Sequence, residues 1–463
     1  MYFQTLFDSQ LSIRTFLIGE ETTKQCVVID PTRHIYSLIA LAQEEGYEIT
    51  DILETHVHAD FISGSKELKN ELNNKPRIWA SKLGGDQFFP SYADKEVFNH
   101  TRVSIGSLVF EAIHTPGHTP EHICWLCFDQ TRSNTVPWLM FTGDCLFVDS
   151  VGRPDLIGKE KAWDLGSQLY DSIFITLNGY PDFVEIYPSH SSGSICGKSL
   201  NSRSSSTLGY ERLFNHYLKK SSRNDWIQNL LQDQEPAPSC LNFIKKTNIQ
   251  GPALLSTLKV IDWNAKNSVK SLAELFLVDI RQPEFFAQSH IKDSLNIPFN
   301  SSFSKWATWV VPQITLLGIV CENEYQSHQT VDSLRMLGFD QDIYIIIFDP
   351  ENQNIKSFLT TFPILNIEQD SSSLLDSNSY YLLDVRSQTE WDTGHISGSN
   401  HIELNKLGNN LKLLPSNQTI AVICRSGARA SLAASLLKKE GFSNVCNVKG
   451  GVTAWKLAGL PLE

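Results

Sequence analysis

The 463-residue chain has no apolar run long enough to span a bilayer, so no membrane-spanning helix is expected within it. Its first residues, MYFQTLFDSQLSIRTFL, lack a basic head, an apolar run and a small-residue cleavage site, so no signal peptide is expected. Positive charge is in deficit. The 39 Lys and Arg face 51 Asp and Glu, a formal net charge of −12, which argues against nucleic acid or an anionic membrane as the main partner. Cysteine is sparse and odd in number, nine residues scattered over the chain. That excludes a disulfide framework and suits free thiols in a reducing, cytoplasmic compartment. No second CxxC accompanies Cys124 and Cys127. In the strand-like HICWLCFD those two residues face opposite ways, so burial is expected rather than a zinc knuckle.

What is present is the composition of a folded soluble protein, 41% hydrophobic and 19% charged. At about 100–200 residues per domain the length predicts two or three domains. From Met1 to Tyr217 short apolar strands alternate with turns and helices. QCVVID, RIWAS, VSIGSLVFEAIH, HICWLCF and VPWLMFTGDCLF read as strands, and His34 to Tyr47 as an amphipathic helix. Strand-rich halves with helices outside predict a layered α/β sandwich. Composition turns less apolar from Lys219 to Pro238, and Gly251-Pro252 closes a further segment. The first boundary is placed near 250.

The remainder contains an internal repeat. Leu277-Val278-Asp279-Ile280-Arg281 matches Leu383-Asp384-Val385-Arg386, and Ser289-His290-Ile291 matches Gly394-His395-Ile396. Ile319-Val320-Cys321 matches Val422-Ile423-Cys424, with Gly338-Phe339 and Gly441-Phe442 at the same interval beyond. Two copies of one α/β domain therefore follow the first domain, and the expected boundaries are 1–250, 251–355 and 356–463.

The chemistry centres on THVHADF, Thr55 to Phe61, between the strand end Thr50 to Leu53 and a helix start near Ile62. His56, His58 and Asp60 thus occupy a strand-to-helix loop, where side chains can converge on a metal. Matching donors recur at later strand ends: His118 in TPGHTPEH, Asp144 in FTGD and His190 in YPSH. His114 and His122 flank the Pro-Gly turn. One such residue is commonly structural; the ordered set is the signal.

On these residues the chain resembles the metallo-β-lactamase fold superfamily, and within it the glyoxalase II-like and persulfide dioxygenase branches. The resemblance covers roughly residues 1–250. It extends to Gly152-Arg153-Pro154-Asp155-Leu156, Cys196-Gly197-Lys198 and Ser206-Thr207-Leu208-Gly209, and is finest to persulfide dioxygenases fused to rhodanese domains. It implies an αββα sandwich. Dinuclear hydrolases of the superfamily use a His beside the Asp of the motif; here that position is Phe61, which cannot ligate. The resemblance instead implies one Fe(II) per chain, held by His56, His118 and Asp144 with positions open for substrate and dioxygen. His58, Asp60 and His190 would orient the ligands and hydrogen-bond to bound water, and binding of His58 to the metal stays open. The implied reaction oxidises a thiol persulfide to sulfite and thiol. Arg153 is a candidate for an acidic group of the substrate, and Cys196 for a sulfur acceptor.

The last copy carries CRSGARASLAASLLKKEGF from Cys424 to Phe442. Cys424 ends an apolar strand, and Ala430, Ala433, Ala434 and Leu437 follow at helical spacing. Loop N–H groups, the helix start, Arg425 and Arg429 make a pocket that favours a thiolate, its persulfide and anions. With Asp384 to Arg386, Glu390-Trp391, Gly394-His395-Ile396 and Gly450 to Trp455, this resembles an active rhodanese, a sulfurtransferase. After Cys321 the middle copy reads Glu322-Asn323-Glu324-Tyr325-Gln326-Ser327-His328, with no glycine or arginine and two acids. It is expected to be a degenerate rhodanese, catalytically inert and kept for packing or assembly.

The expectation is a bifunctional sulfur-oxidising enzyme of sulfide detoxification. Its substrates would be a small-molecule thiol persulfide, dioxygen, sulfite and thiosulfate, and it would form a homo-oligomer. Two alternatives stay open: a glyoxalase II-like zinc thioester hydrolase with an appended sulfurtransferase, and a non-oxidative sulfur-carrier scaffold with a structural metal.

Overall fold

A computed structural model describes the chain apart from residues 193, 195–199, 233, 235, 236, 239, 256–259, 263–271, 314 and 315. Two units result. The first takes in Met1–Leu255 with Leu334–Asp340; the second takes in Ser256–Ser333 and Gln341–Glu463.

In the first unit two six-stranded sheets face each other. One runs Tyr2–Asp8, Ile13–Gly19, Gln25–Ile29, Glu48–Leu53, Arg77–Ser81 and Lys95–Val97 in spatial order. The other runs Ser206–Thr207, Glu185–Pro188, Leu139–Gly143, Ile123–Asp129, Leu108–His114 and Arg102–Ile105. Alternation along each strand builds the layers. Phe16, Val27, Ile29, Phe110, Trp125 and Phe141 point between the sheets. Leu17, Cys26 and Val28 point outward, under helix Ile35–Glu44 with its buried Leu38. Leu126, Met140 and Ile186 point outward on the other side, under helices Ala162–Asp171 and Arg223–Leu231. This is the αββα sandwich that the resemblance implied. Cys124 lies in the outer core and Cys127 between the sheets, on opposite faces of one strand, and the described cysteines are all free.

The low-apolar stretch after Lys219 contains a packed helix. Ser222 caps the helix Arg223–Leu231, whose Trp226, Ile227 and Leu230 are buried. Three apolar residues on one face are enough to dock a short helix even where the surrounding composition is polar. A further helix, Cys240–Gln250, also belongs to this unit.

The second unit holds two five-stranded parallel sheets of identical order. The first is Val260–Asp262, Ile343–Ile347, Leu317–Cys321, Phe276–Asp279, Leu295–Asn296. The second is Ile364–Leu365, Val445–Val448, Ile420–Ile423, Tyr381–Asp384, Asn400–His401. The sequence repeat is thus a repeat of topology. No helix among the described residues is long and apolar enough to cross a membrane.

Candidate metal centre and sulfur-transfer loop

The candidate donors leave the C-terminal ends of strands Glu48–Leu53, Leu139–Gly143 and Glu185–Pro188, with His118 in the turn between Leu108–His114 and Ile123–Asp129. Hydrogen bonds behind the rings set their protonation. Asp30 accepts the Thr55 N–H at 2.8 Å and the Thr55 hydroxyl at 2.8 Å. The hydrogen of that hydroxyl is engaged by Asp30, so its oxygen accepts from Nδ1 of His56 at 2.9 Å, which leaves the His56 Nε2 lone pair free. His118 Nδ1 donates to the Arg153 carbonyl at 3.0 Å, leaving its Nε2 free as well. His122 acts differently. Its Nε2 accepts the Asp144 N–H at 3.0 Å and its Nδ1 contacts Thr115 Oγ1 at 2.9 Å, so it holds the backbone of Asp144. His114 contacts the Pro120 carbonyl through Nε2 at 2.9 Å.

Two glycines allow this close packing. A Cβ at Gly117, where φ is +145°, would sit 2.3 Å from Cβ of Leu169. A Cβ at Gly152 would sit 1.9 Å from the Asp144 carbonyl oxygen. Both places require a bare backbone.

One ligand atom each of His56, His118 and Asp144 lies within 4.8 Å of the others, and all three residues are buried. His118 Nε2 is 3.4 Å and His56 Nε2 3.9 Å from Asp144 Oδ2. His56 Nε2 and both Asp144 carboxylate oxygens are buried with no hydrogen-bond partner. Buried polar atoms without partners are costly, and converging ones are accounted for by a cation. Burial, then the surrounding histidines, holds His56 well below its ordinary pKa, and burial lowers His118. Two neutral imidazoles and one carboxylate fit a divalent metal of borderline character.

The other candidates are near but arranged differently. His58 turns Nε2 to Asp30 Oδ1 at 3.2 Å and to Glu54 Oε2 at 3.6 Å. Its ligand atoms group with Asp30 and Glu54, apart from the trio. Burial opposes charge on His58, but these carboxylates outweigh it and push its pKa up to about 9. His190 contacts the Ser12 carbonyl through Nδ1 at 3.2 Å, and its Nε2 is 3.0 Å from Asp60 Oδ2 and 3.6 Å from Asp144 Oδ2. Again burial is outweighed, by Asp144 and Asp60, and His190 reaches about 9. Arg153 is 4% exposed, and its guanidinium bonds Asp155 at 3.0 and 2.7 Å. Cys196 lies outside the described residues.

Sequence reasoning missed four supports. Asp30 and Glu54 directly follow strands Gln25–Ile29 and Glu48–Leu53, a placement that could have marked them. Glu121 accepts the Val57 N–H at 2.9 Å, and burial pushes it to about 7. Asn248 binds the metal loop at three backbone points. Its Nδ2 donates to the carbonyls of His58 and Phe61 at 2.8 Å each, and its Oδ1 accepts from Ser63 N–H at 3.0 Å.

In the last repeat, Cys424 follows strand Ile420–Ile423 and its Sγ accepts N–H bonds from Gly427 at 3.1 Å and Ala430 at 3.4 Å. Val452 and Thr453 donate to the Cys424 and Arg425 carbonyls at 2.8 and 3.0 Å, so the Gly450 to Trp455 segment closes the loop from behind. Arg425 is exposed. Arg429 is paired with Glu390 at 2.6 and 2.7 Å, so its charge is shared with a carboxylate. In the middle repeat, Cys321 is fully buried, burial pushes it up to about 12, and its Sγ lies 3.9 Å from the Ile346 carbonyl.

A family model described as Metallo-beta-lactamase superfamily matches residues 10–190, and one described as Rhodanese-like domain matches 261–347 and 369–458. The crystal structure of a metallo-beta-lactamase from Staphylococcus aureus subsp. aureus COL is 30% identical, covers 75% of this chain and 98% of its own, and superposes with a TM-score of 0.68. The chain belongs to the metallo-beta-lactamase superfamily. To this metallo-beta-lactamase domain it adds two rhodanese-like domains. Among curated relatives, persulfide dioxygenase ETHE1 of Bos taurus is 26% identical over 246 residues, 53% of this chain and 86% of the relative. Hydroxyacylglutathione hydrolase of Pseudomonas savastanoi pv. phaseolicola is 33% identical over 175 residues, 38% of this chain and 60% of the relative. A superfamily member with these orphaned donors has a metal site.

Proposed function

We propose that this metallo-beta-lactamase domain is an Fe(II)-dependent persulfide dioxygenase, and that the last rhodanese-like domain moves sulfane sulfur through Cys424. The domains are placed at 1–250, 251–355 and 356–463. The observation that carries the reading is the trio His56, His118 and Asp144: two neutral imidazoles and one carboxylate, buried, with Phe61 where a second site would need a histidine. The likeness to persulfide dioxygenases and the rhodanese-like repeats support sulfur chemistry at both ends.

The overall reaction is RSSH + O2 + H2O → RSH + SO3²⁻ + 2 H⁺. The S–S bond breaks, the outer sulfur gives four electrons to dioxygen, and water supplies the third oxygen. Ferrous iron, when bound, supplies the one-electron steps by which dioxygen reacts with a closed-shell sulfur anion. The protein does the rest. Asp30, through Thr55, and the Arg153 carbonyl fix the tautomers of His56 and His118, so both present Nε2. Asp144 gives the set a single negative charge. His190 turns Nε2 to Asp60 and Asp144, 3.0 and 3.6 Å from their carboxylate oxygens, where it can hold a proton beside the trio. Arg153 is assigned to an acidic group of the thiol, which would take the place of Asp155. At Cys424 the thiolate attacks thiosulfate or a persulfide and becomes Cys–S–S⁻, releasing sulfite or thiol; reversal joins sulfite to sulfane sulfur as thiosulfate. Cys321 takes no part.

The test is anaerobic purification with iron quantified, then oxygen uptake on several thiol persulfides. One iron per chain, with uptake matched by sulfite release, is expected. The hydroxyacylglutathione hydrolase likeness favours a second reading, a zinc thioesterase. Two zinc per chain with thioester hydrolysis and no oxygen uptake would establish it and overturn the first.

A further inference from the structure

The helix Ala428–Lys439 opens at the thiol loop, where Gly427 and Ala430 turn their N–H groups to Cys424 Sγ. The next residue, Ser431, is fully buried, and Ser435 one turn later is 3% exposed. A hydroxyl on the buried face of a helix otherwise lined by Ala and Leu is costly unless it is bonded. Ser435 Oγ donates to the Leu432 carbonyl at 2.8 Å, and both hydroxyl oxygens also meet Asn296, at the end of a strand in the middle repeat and itself 0% exposed. Ser431 Oγ donates to Asn296 Oδ1 at 2.6 Å, and the Asn296 N–H donates to Ser435 Oγ at 3.0 Å.

Asn296 cannot rotate away. Its Nδ2 donates to the carbonyls of Asp279 at 3.0 Å and Arg281 at 2.9 Å. Both amide protons are thereby used, and Oδ1 is left facing the serine. The backbone carbonyls of the Asp-Ile-Arg segment, an inert remnant by sequence, therefore hold the side chain that holds the catalytic helix.

The repeat supplies its own comparison. Asn296 pairs with Asp279 in its sheet as His401 pairs with Asp384 in the last repeat. Both side chains reach the carbonyl of the following arginine, His401 through Nε2 at 2.8 Å. His401 then lays its ring on Trp391, 4.7 Å between centroids and 17° between planes. An imidazole bound to that carbonyl has one ring nitrogen left. An amide keeps a second donor and an acceptor, which docking the helix requires.

We propose that the middle rhodanese-like domain is a positioning element for sulfur transfer. Asn296, through Ser431 and Ser435, sets the height of the helix whose first N–H groups face Cys424 Sγ. This rests on Cys424 being the sulfur carrier and deepens that reading by giving the degenerate repeat a task. A thiolate or persulfide gains from those N–H groups only at hydrogen-bond distance, so a small displacement of the helix costs rate before it costs fold.

The experiment uses the whole 463-residue chain with Asn296→Ala, Ser431→Ala, the double variant and Cys424→Ser. Thiosulfate:cyanide sulfur transfer and the alkylation rate of Cys424 by iodoacetamide at neutral pH are measured, with oxygen uptake as the control for intact protein. Each single variant is expected to lower kcat about tenfold, with KM for thiosulfate little changed. The double variant should be no worse than either single, and alkylation should slow in parallel. Unchanged kcat and alkylation in folded singles, or losses that multiply in the double, would overturn the proposal. If Cys424→Ser retains sulfur transfer, the carrier reading fails by itself, and the alkylation rates still decide whether Asn296 sets the surroundings of Cys424. If Asn296→Ala does not fold, Ser431→Ala, a change of one hydroxyl in an alanine-rich helix, carries the same test.

Discussion

Phe61 is fully buried, its ring 4.3 Å from that of His58, and it stands next to Asp60. A histidine there would join Asp60 and His190 as a second donor set. Phe61→His is therefore expected to raise bound metal from one toward two per chain, read by elemental analysis after loading. Oxygen uptake should fall as the site turns dinuclear. The loss of the apolar ring should cost about 1–3 kcal/mol of stability, read by denaturant unfolding. A variant that still binds a single metal would show that Phe61 does not set the count. At this scale the clustering of His56, His118 and Asp144 was legible because each is a rare donor in a loop that follows an apolar strand. His58 was the residue the motif left open. Its environment explains the ambiguity: Asp30 and Glu54, neither adjacent to it in sequence, claim its Nε2.

Asn248 shows what an element contributes that a motif does not. It sits near the end of helix Cys240–Gln250, and its bonds to His58, Phe61 and Ser63 all go to backbone groups. Contacts to backbone leave no trace in the partner's identity, so the sequence carries no sign of them. The strands, by contrast, were legible through their period-two apolar pattern, and the helix of the last repeat through its alanine spacing. Helix Arg223–Leu231 was hidden by polar neighbours. Asn248→Ala should weaken metal binding about 10–100-fold, as loss of a supporting contact does, read by chelator competition. Unaltered affinity would reduce Asn248 to a packing role. A second element-level device is the cap of helix Gln388–Asp392, where Glu390 bonds Ser387 and Arg429. Burial alone would raise the Glu390 pKa, but Arg429 and Ser387 outweigh it and hold it at about 2, against 4.5. A depressed carboxylate stabilises the fold above its unfolded value and loses that contribution as pH falls through its folded value. Stability of the wild type should thus decline between pH 4.5 and about 2, and Glu390→Gln should flatten the decline. Parallel curves would remove Glu390 from the acid response.

At the scale of the whole molecule, the repeat in sequence became a repeat of strand order, and Cys321 of the middle copy is fully buried, burial pushing its pKa up to about 12. On the proposed reading, the middle copy is kept for something other than chemistry at its own cysteine, and Asn296 supplies such a task within the second unit. The metal trio and the thiol loop belong to different units, share no residue and have independent supports. Their chemistries should therefore separate cleanly by substitution. Asp144→Ala removes the only carboxylate of the trio. It should abolish metal binding and oxygen uptake and leave thiosulfate:cyanide sulfur transfer at the wild-type rate. Cys424→Ser should do the converse, retaining iron and persulfide-dependent oxygen uptake while thiosulfate no longer forms from sulfite and persulfide. Sulfite should then accumulate in proportion to oxygen consumed. Loss of both activities in either variant would mean that one centre needs the other, and the division of labour between the units would have to be abandoned.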